Sequence, residues 1–125
     1  MLGAAKVGAF LCTRDRARAK TFFSETLGLT LVHEDDFALV YDANGTTLRI
    51  SPFEGLVPQP FTVLGWEIGD IASTIETLES RGVTFERFPG MEQDAKGIWT
   101  PPGSTVKIAW FKDPDGNVLS LAQHK

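Results

Sequence analysis

Few side chains in this sequence are suited by type and spacing to bond-making chemistry. It has two histidines and one cysteine. His33 and His124 fall at strand ends in different halves of the chain, with no local carboxylate partner. Histidines so placed do not make a metal site, and each is expected at the surface. Cys12 has no histidine positioned to activate it and reads as a small buried hydrophobe rather than a nucleophile. Arg14, Arg16, Arg18 and Lys20 alternate with small residues, which predicts a solvated helix face rather than a nucleic-acid contact.

Composition narrows the classes further. The chain has 125 residues, an ordinary single-domain length that allows one sizeable core. Hydrophobic residues at 42% and charged residues at 22% place it with globular proteins and against disorder. The net charge of -4 includes no block of like charge. A lone cysteine excludes an internal disulfide framework and fits a reducing compartment. No basic-then-apolar leader opens the chain, and no apolar run approaches the ~20 residues that span a bilayer. The expectation is a cytoplasmic protein with no membrane and no nucleic-acid partner.

The elements that must position any site come in two similar halves. Residues 7–13 (VGAFLCT) are apolar and β-prone and read as a strand. Asp15 is placed to cap a helix, its carboxylate accepting from free amides of the first turn. Ala19, Phe22, Phe23 and Leu27 recur behind it at helical spacing, and Gly28 is the permissive residue past the helix end. Strands are expected at 30–33, 38–41 and 46–50. The last two are joined by Asp42-Ala43-Asn44-Gly45, whose Asn-Gly tolerates the positive φ of tight turns. The plan then repeats with a strand at 62–68, a cap at Asp70 and a helix face of Ile71, Ile75 and Leu78. Gly82 ends that helix. Strands follow at 83–85, 106–111 and 118–122, the last pair around Asp113-Pro114-Asp115-Gly116-Asn117.

Asp15 matches Asp70, Gly28 matches Gly82, and Gly45 matches Gly116. Three matches in order predict a repeated βαβββ unit. Module one covers about 6–50 and module two about 62–122. The connector at 51–60 carries Pro52, Pro58 and Pro60, which lack amide donors and suit an extended link. Residues 87–103 read as a long irregular stretch, either a functional lid or a tolerated surface insertion.

The opening VGAFLCTRDRARAKTFFSETLGL resembles the strand–Asp–helix–Leu-Gly-Leu start of glyoxalase-like modules. The closing KIAWFKDPDGNVLSL is similar to their final hairpin. On these stretches and the repeat, the chain resembles the vicinal oxygen chelate superfamily of glyoxalase, bleomycin-resistance and extradiol dioxygenase-like proteins. The resemblance implies an α+β fold in a single domain over 1–125, with two paired βαβββ modules forming curved mixed sheets around a cavity. In metalloenzymes of that superfamily, four inward His, Glu or Gln side chains bind one divalent ion that chelates vicinal substrate oxygens. Here the corresponding positions are Gly8, Arg49, Val63 and Ser120. Glycine and valine have no donor, and serine is a poor lone ligand. The guanidinium of Arg49 stays protonated and repels a cation. No metal and no cofactor are therefore expected, and metal-dependent lyase or dioxygenase activity is disfavoured.

Strand alternation extends the resemblance to the rest of the lining. If Gly8 faces the cavity, so do Phe10 and Cys12; if Val63 does, so do Gly65 and Glu67; Ser120 brings Val118 and Ala122. Trp110 falls where family members often present an aromatic to the substrate. Leu11, Trp66, Phe111, Leu119 and Leu121 would pack under the helices.

The expected ligand-binding set is Phe10, Cys12, Arg49, Glu67, Trp99, Trp110 and Ser120, and no catalytic residue is assigned. Arg49 could grip a carboxylate, phosphate or enolate-like oxygen with paired donors; the structural alternative is an ion pair with Glu67 or an outward turn. Glu67 could act as a general base if burial raised its pKa. Phe10, Trp99 and Trp110 could stack on a planar ligand. The leading expectation is a homodimer that binds a small, partly aromatic molecule, one able to carry an anionic group, without metal. The alternatives are an enzyme of the same superfamily (lyase, isomerase or oxygenase) using atypical ligands or no metal, and a partner domain whose cavity is filled by its own side chains.

Overall fold

The computed structural model describes all residues, Met1–Lys125. The chain divides into two compact units, Met1–Val57 and Pro58–Lys125.

The first unit opens with a 3₁₀ turn at Leu2–Ala4 and strand β1 at Gly8–Thr13. Helix α1, Arg16–Thr21, begins where expected: Asp15 is extended, and its carboxylate accepts from the Arg18 amide at 3.1 Å. The helix then widens into a π-helical turn at Phe22–Thr26, with the Leu27 amide bonded to the Phe22 carbonyl five residues back. Gly28, at φ +75°, ends it and lets the Leu29 amide reach back to the Phe23 carbonyl. Strands β2 (Thr30–Glu34), β3 (Leu39–Ala43) and β4 (Thr46–Pro52) complete a sheet in the order β1-β4-β3-β2. β1 runs parallel to β4, and the other pairings are antiparallel.

One face of this sheet is covered. Leu11, Leu39, Tyr41, Leu48 and Ile50 alternate onto it and are buried, as are Ala19 and Phe23 of the helical segment. Phe23 and Tyr41 rings lie 6.2 Å apart, and the Tyr41 hydroxyl is 2.7 Å from that of Ser24. The phenol thus buries its ring while its polar tip stays satisfied. Each such apolar side chain contributes about 1.5–3 kcal/mol of transfer free energy.

The second unit repeats the grammar with one strand fewer. β5 (Thr62–Glu67) leads to α2 (Ile71–Ser80), capped by the Asp70 carboxylate on the Ser73 amide at 3.1 Å. Ile71, Ile75 and Leu78 are its buried face, as their spacing predicted. β6 (Lys107–Lys112) and β7 (Val118–Gln123) give a sheet ordered β5-β7-β6, with β5 parallel to β7. Phe111, Leu119 and Leu121 are buried, and Trp66 stacks on Phe111 at 6.3 Å.

Three sequence expectations change. Residues 83–85 do not form a strand: only Phe85 bridges to Phe111, and Val83 is spent on the helix cap, its amide bonding the Leu78 carbonyl. The connector starts later than expected, because Ser51 and Pro52 continue β4 beside Cys12 and Thr13. Pro52 is tolerated at the strand's end, where the Phe53 amide supplies the next bond, to the Thr13 carbonyl. The stretch 87–103 is not wholly irregular. Gln93 bridges Trp99 around a turn closed by the Gly97 amide on the Asp94 carbonyl, with Gly97 at φ +87°.

Candidate functional site

Each sheet covers one face with its helix; on the other face the expected lining residues of the strands are exposed or half-buried, except Val118, which is buried. In the first unit, parallel register sets Phe10 beside Arg49 and Cys12 beside Ser51, while the β3 pairing sets Val40 beside Arg49. Phe10 is 70% exposed, so it walls no enclosed cavity within its own unit. Its ring lies back along β1 over Gly8, where a Cβ would meet it at 3.6 Å. Arg49 is half-buried between these neighbours, and its side chain enters none of the unit's hydrogen bonds or ion pairs. The other arginine of interest behaves differently. Arg16 meets Glu34 at 3.6 Å and donates to the backbone carbonyls of Asp35 and Ala38, so it ties α1 to the β2–β3 connection instead of lying on a free solvated face.

In the second unit, register sets Gly65 beside Ser120 and Ser120 beside Trp110. A bulge at Val63 puts Thr62, not Val63, opposite Val118. Thr62 then accepts a hydrogen bond from the Trp110 indole Nε1 at 3.1 Å. Trp110 is also met by Phe88, edge-on at 5.4 Å, and by Trp99, tilted at 6.0 Å. Trp99 reaches it because its backbone forms a two-way bridge to Ile108 at 2.8 and 2.9 Å. Trp66 is half-buried on the covered face, as expected, while Val118 is buried rather than open.

Two sequence readings of titratable groups are corrected. The Glu67 side chain is 85% exposed, so the burial that a general base required is missing. Within its own unit its partner is His124, whose Nε2 lies 3.3 Å away at the edge of a shallow groove of about 360 Å³. Nor are the histidines without carboxylates, since His33 Nε2 meets Asp35 at 2.9 Å. Both remain exposed, in keeping with their expected surface position.

Neither Phe88 nor Gln93 was singled out in the sequence. Phe88 is recognisable only once the loop is folded. Gln93 had a partial signal in the Asp94-Ala95-Lys96-Gly97 that follows it, with Asp first and Gly fourth, the preferred order of a tight turn.

The closing turn between Trp110 and Ser120 is organised around one buried carboxylate. Asp113 accepts from the Asp115 amide at 3.0 Å, the Asn117 amide at 2.9 Å and the Asn117 side chain at 2.8 Å. Burial pushes the Asp113 carboxyl above its ordinary value, and these donors only partly oppose it.

The family model of the Glyoxalase/Bleomycin resistance protein/Dioxygenase superfamily matches residues 6–121. No curated protein sequence matches the chain. A glyoxalase family protein from Enterococcus faecalis superposes with a TM-score of 0.77 at 18% identity, over 98% of this chain and 99% of that one. The genomically encoded fosfomycin resistance protein FosX from Listeria monocytogenes gives 0.77 at 11% identity, over 98% and 94%. A superfamily member from Sphaerobacter thermophilus gives 0.70 at 25% identity, over 98% and 99%. No helix is long and apolar enough to cross a membrane.

Proposed function

The chain belongs to the Glyoxalase/Bleomycin resistance protein/Dioxygenase superfamily, and from that premise we propose that it binds a small, partly aromatic anion without a metal ion. The observation that carries this reading is Arg49, a half-buried guanidinium flanked by Phe10 and Val40 and left without a partner within its own unit. Partly desolvating an unpaired charge is costly. A planar anion would offset that cost by accepting two parallel N–H donors while its apolar part lies against Phe10.

The residues present do not fit the divalent ion that superfamily metalloenzymes use. No three His, Cys, Asp or Glu side chains gather at one place. Gly8 offers no donor, and Arg49 carries a fixed positive charge. Binding is favoured over catalysis because Glu67, the one carboxylate considered as a base, is exposed and beside His124. We also propose a homodimer. Its support is the number of large apolar side chains left exposed, among them Val32, Phe37, Phe53, Val57 and Phe61. Light scattering should give twice the chain mass.

The function is tested with benzoate and phenylphosphonate, and with benzyl alcohol as the uncharged control, all in the presence of a chelator. Calorimetry should show the two anions binding and the alcohol not. Arg49→Lys should weaken the anions roughly tenfold or more, the equivalent of one charge-assisted hydrogen bond, and Arg49→Leu should abolish them. Unchanged affinity in Arg49→Leu, together with raised thermal stability, would make the arginine a tolerated charge and end the proposal.

A further inference from the structure

We propose that Gln93 is the positioning residue of the aromatic surface on the second unit, holding Phe88 and Trp99 against Trp110 so that the surface is set for a planar ring before any ligand arrives. This deepens the small-molecule reading above by assigning a flat, unsaturated ring to this sheet.

The loop between α2 and β6 is stitched to the β6 edge at two points. The Glu86 amide bonds the Trp110 carbonyl at 2.8 Å, and Trp99 bridges Ile108. Between those stitches the backbone has left the sheet edge and must find partners within the loop. Gln93 supplies three at once. Its Nε2 donates to the Glu86 carbonyl at 2.9 Å and to the Gly97 carbonyl at 2.8 Å, while its Oε1 accepts from the Phe88 amide at 2.8 Å.

Those partners bracket the two aromatic residues the loop delivers. Glu86 and Phe88 fix where the Phe88 ring leaves the chain. Gly97 lies two residues before Trp99, and Gln93 itself bridges Trp99. A carboxamide is the one side-chain type that offers two donors and an acceptor on a stem of this length. Methionine fills the same space but makes none of these bonds.

Around this brace the loop is fastened elsewhere by groups that do not touch the aromatic residues. Lys96 meets Glu76 of α2 at 2.7 Å, and the Asp94 carboxylate holds the Lys96 and Ile98 amides at 2.9 Å. Removing the Gln93 bonds should therefore loosen the aromatic edge while leaving the turn and the unit folded.

Trp99 and Trp110, 6.0 Å apart and inclined at 38°, are close enough for their transitions to couple and give a paired circular-dichroism band. Ligand-free wild type should show this band, and Trp99→Phe should lose it. Gln93→Met should lose most of it while keeping its cooperative thermal unfolding. A band retained in Gln93→Met would overturn the proposal, because packing alone would then suffice.

Ligand recognition is read separately, as quenching of tryptophan fluorescence by 2-naphthol and by its saturated analogue decahydro-2-naphthol. Wild type should prefer the flat ring severalfold, and Gln93→Met should lose that preference. If the band is lost but the preference stays, Gln93 does not govern recognition and the proposal fails. If wild type itself shows no preference, the aromatic surface is not a ring site, whatever the anion test at Arg49 shows. Should Gln93→Met not fold, hydrogen exchange in wild type decides. Protection of the Phe88 amide supports the brace, and exchange at the free-loop rate overturns it.

Discussion

Phe10, Arg49 and Val40 run side by side across the first sheet, and Gly65, Ser120 and Trp110 occupy the same row of the second. The bulky ring sits on the parallel outer strand in one unit and on the antiparallel flank in the other. The central residue is a cation in the first and a hydroxyl in the second. Behind these rows, the covered faces agree. Tyr41 and Phe111 hold equivalent register positions, both with no exposure, and Asp15 and Asp70 make the same cap at the same distance. Close packing leaves little freedom in what can stand under a helix. The open face is under no such constraint, so a duplicated unit can keep its core and exchange its binding chemistry.

If the covered faces are truly equivalent, the largest effects should fall there in matching size. Tyr41→Ala and Phe111→Ala should each cost about 3–5 kcal/mol, the usual range for emptying a buried aromatic site. Urea denaturation of the two variants measures it directly. A cost below about 1 kcal/mol for either would break the equivalence, since it would mean that one face repacks freely.

The open rows should respond unequally, and by less. A Cβ added at Gly65 would lie 2.6 Å from the Ser120 hydroxyl oxygen and 3.4 Å from the Ser120 carbonyl oxygen. Gly65→Ala should therefore destabilise by about 1–3 kcal/mol. Adding Ser120→Ala should recover most of that loss, because the nearest clash is with the hydroxyl. Its row partner in the first unit, Phe10, is largely exposed, so Phe10→Ala should change stability by no more than about 0.5 kcal/mol. Full cost in the Gly65→Ala, Ser120→Ala double variant would place the strain in the backbone instead.

What the sequence disclosed follows the same division. Caps, helix-ending glycines and the two hydrophobic periods are local signals, and they located β1–β7, α2 and the start of α1 to within a residue or two. Only the resemblance, extended by strand alternation, singled out the positions of Phe10, Arg49, Ser120 and Trp110. The π-helical turn after α1 was not legible, because it depends on one hydrogen bond five residues back and not on composition. The missing strand at 83–85 has a similar cause. Val83 and Phe85 are β-prone, yet the Val83 amide is taken by the Leu78 carbonyl and only Phe85 reaches the sheet edge, at Phe111. Phe88 and Gln93 escaped notice because their roles come from bonds across a loop, where no periodicity marks a buried side. Glu67 failed for a different reason: alternation gives the face of a strand but not how deeply its end is covered.

The smallest effect concerns the two hairpin turns, where the units differ in how they hold an aspartate. Asp42 is exposed and accepts a single amide, that of Gly45 at 2.9 Å. Asp113, at the same place in the second hairpin, is 6% exposed and gathers three donors. Burial raises the folded-state pKa of Asp113 above the ordinary 3.8, the donors notwithstanding. For a group raised in this way, protonation favours the folded chain. The contribution is fully present below the unfolded value and is lost as pH rises through the folded one. Asp113→Asn removes the titration while its side-chain carbonyl can still accept the Asp115 and Asn117 amides. Unfolding free energies measured for both proteins as pH climbs from below 3.8 should show wild type losing ground steadily to the variant. Wild type gaining on Asp113→Asn over that interval would mean that the three donors outweigh burial, and that the second turn is held by an ionised carboxylate.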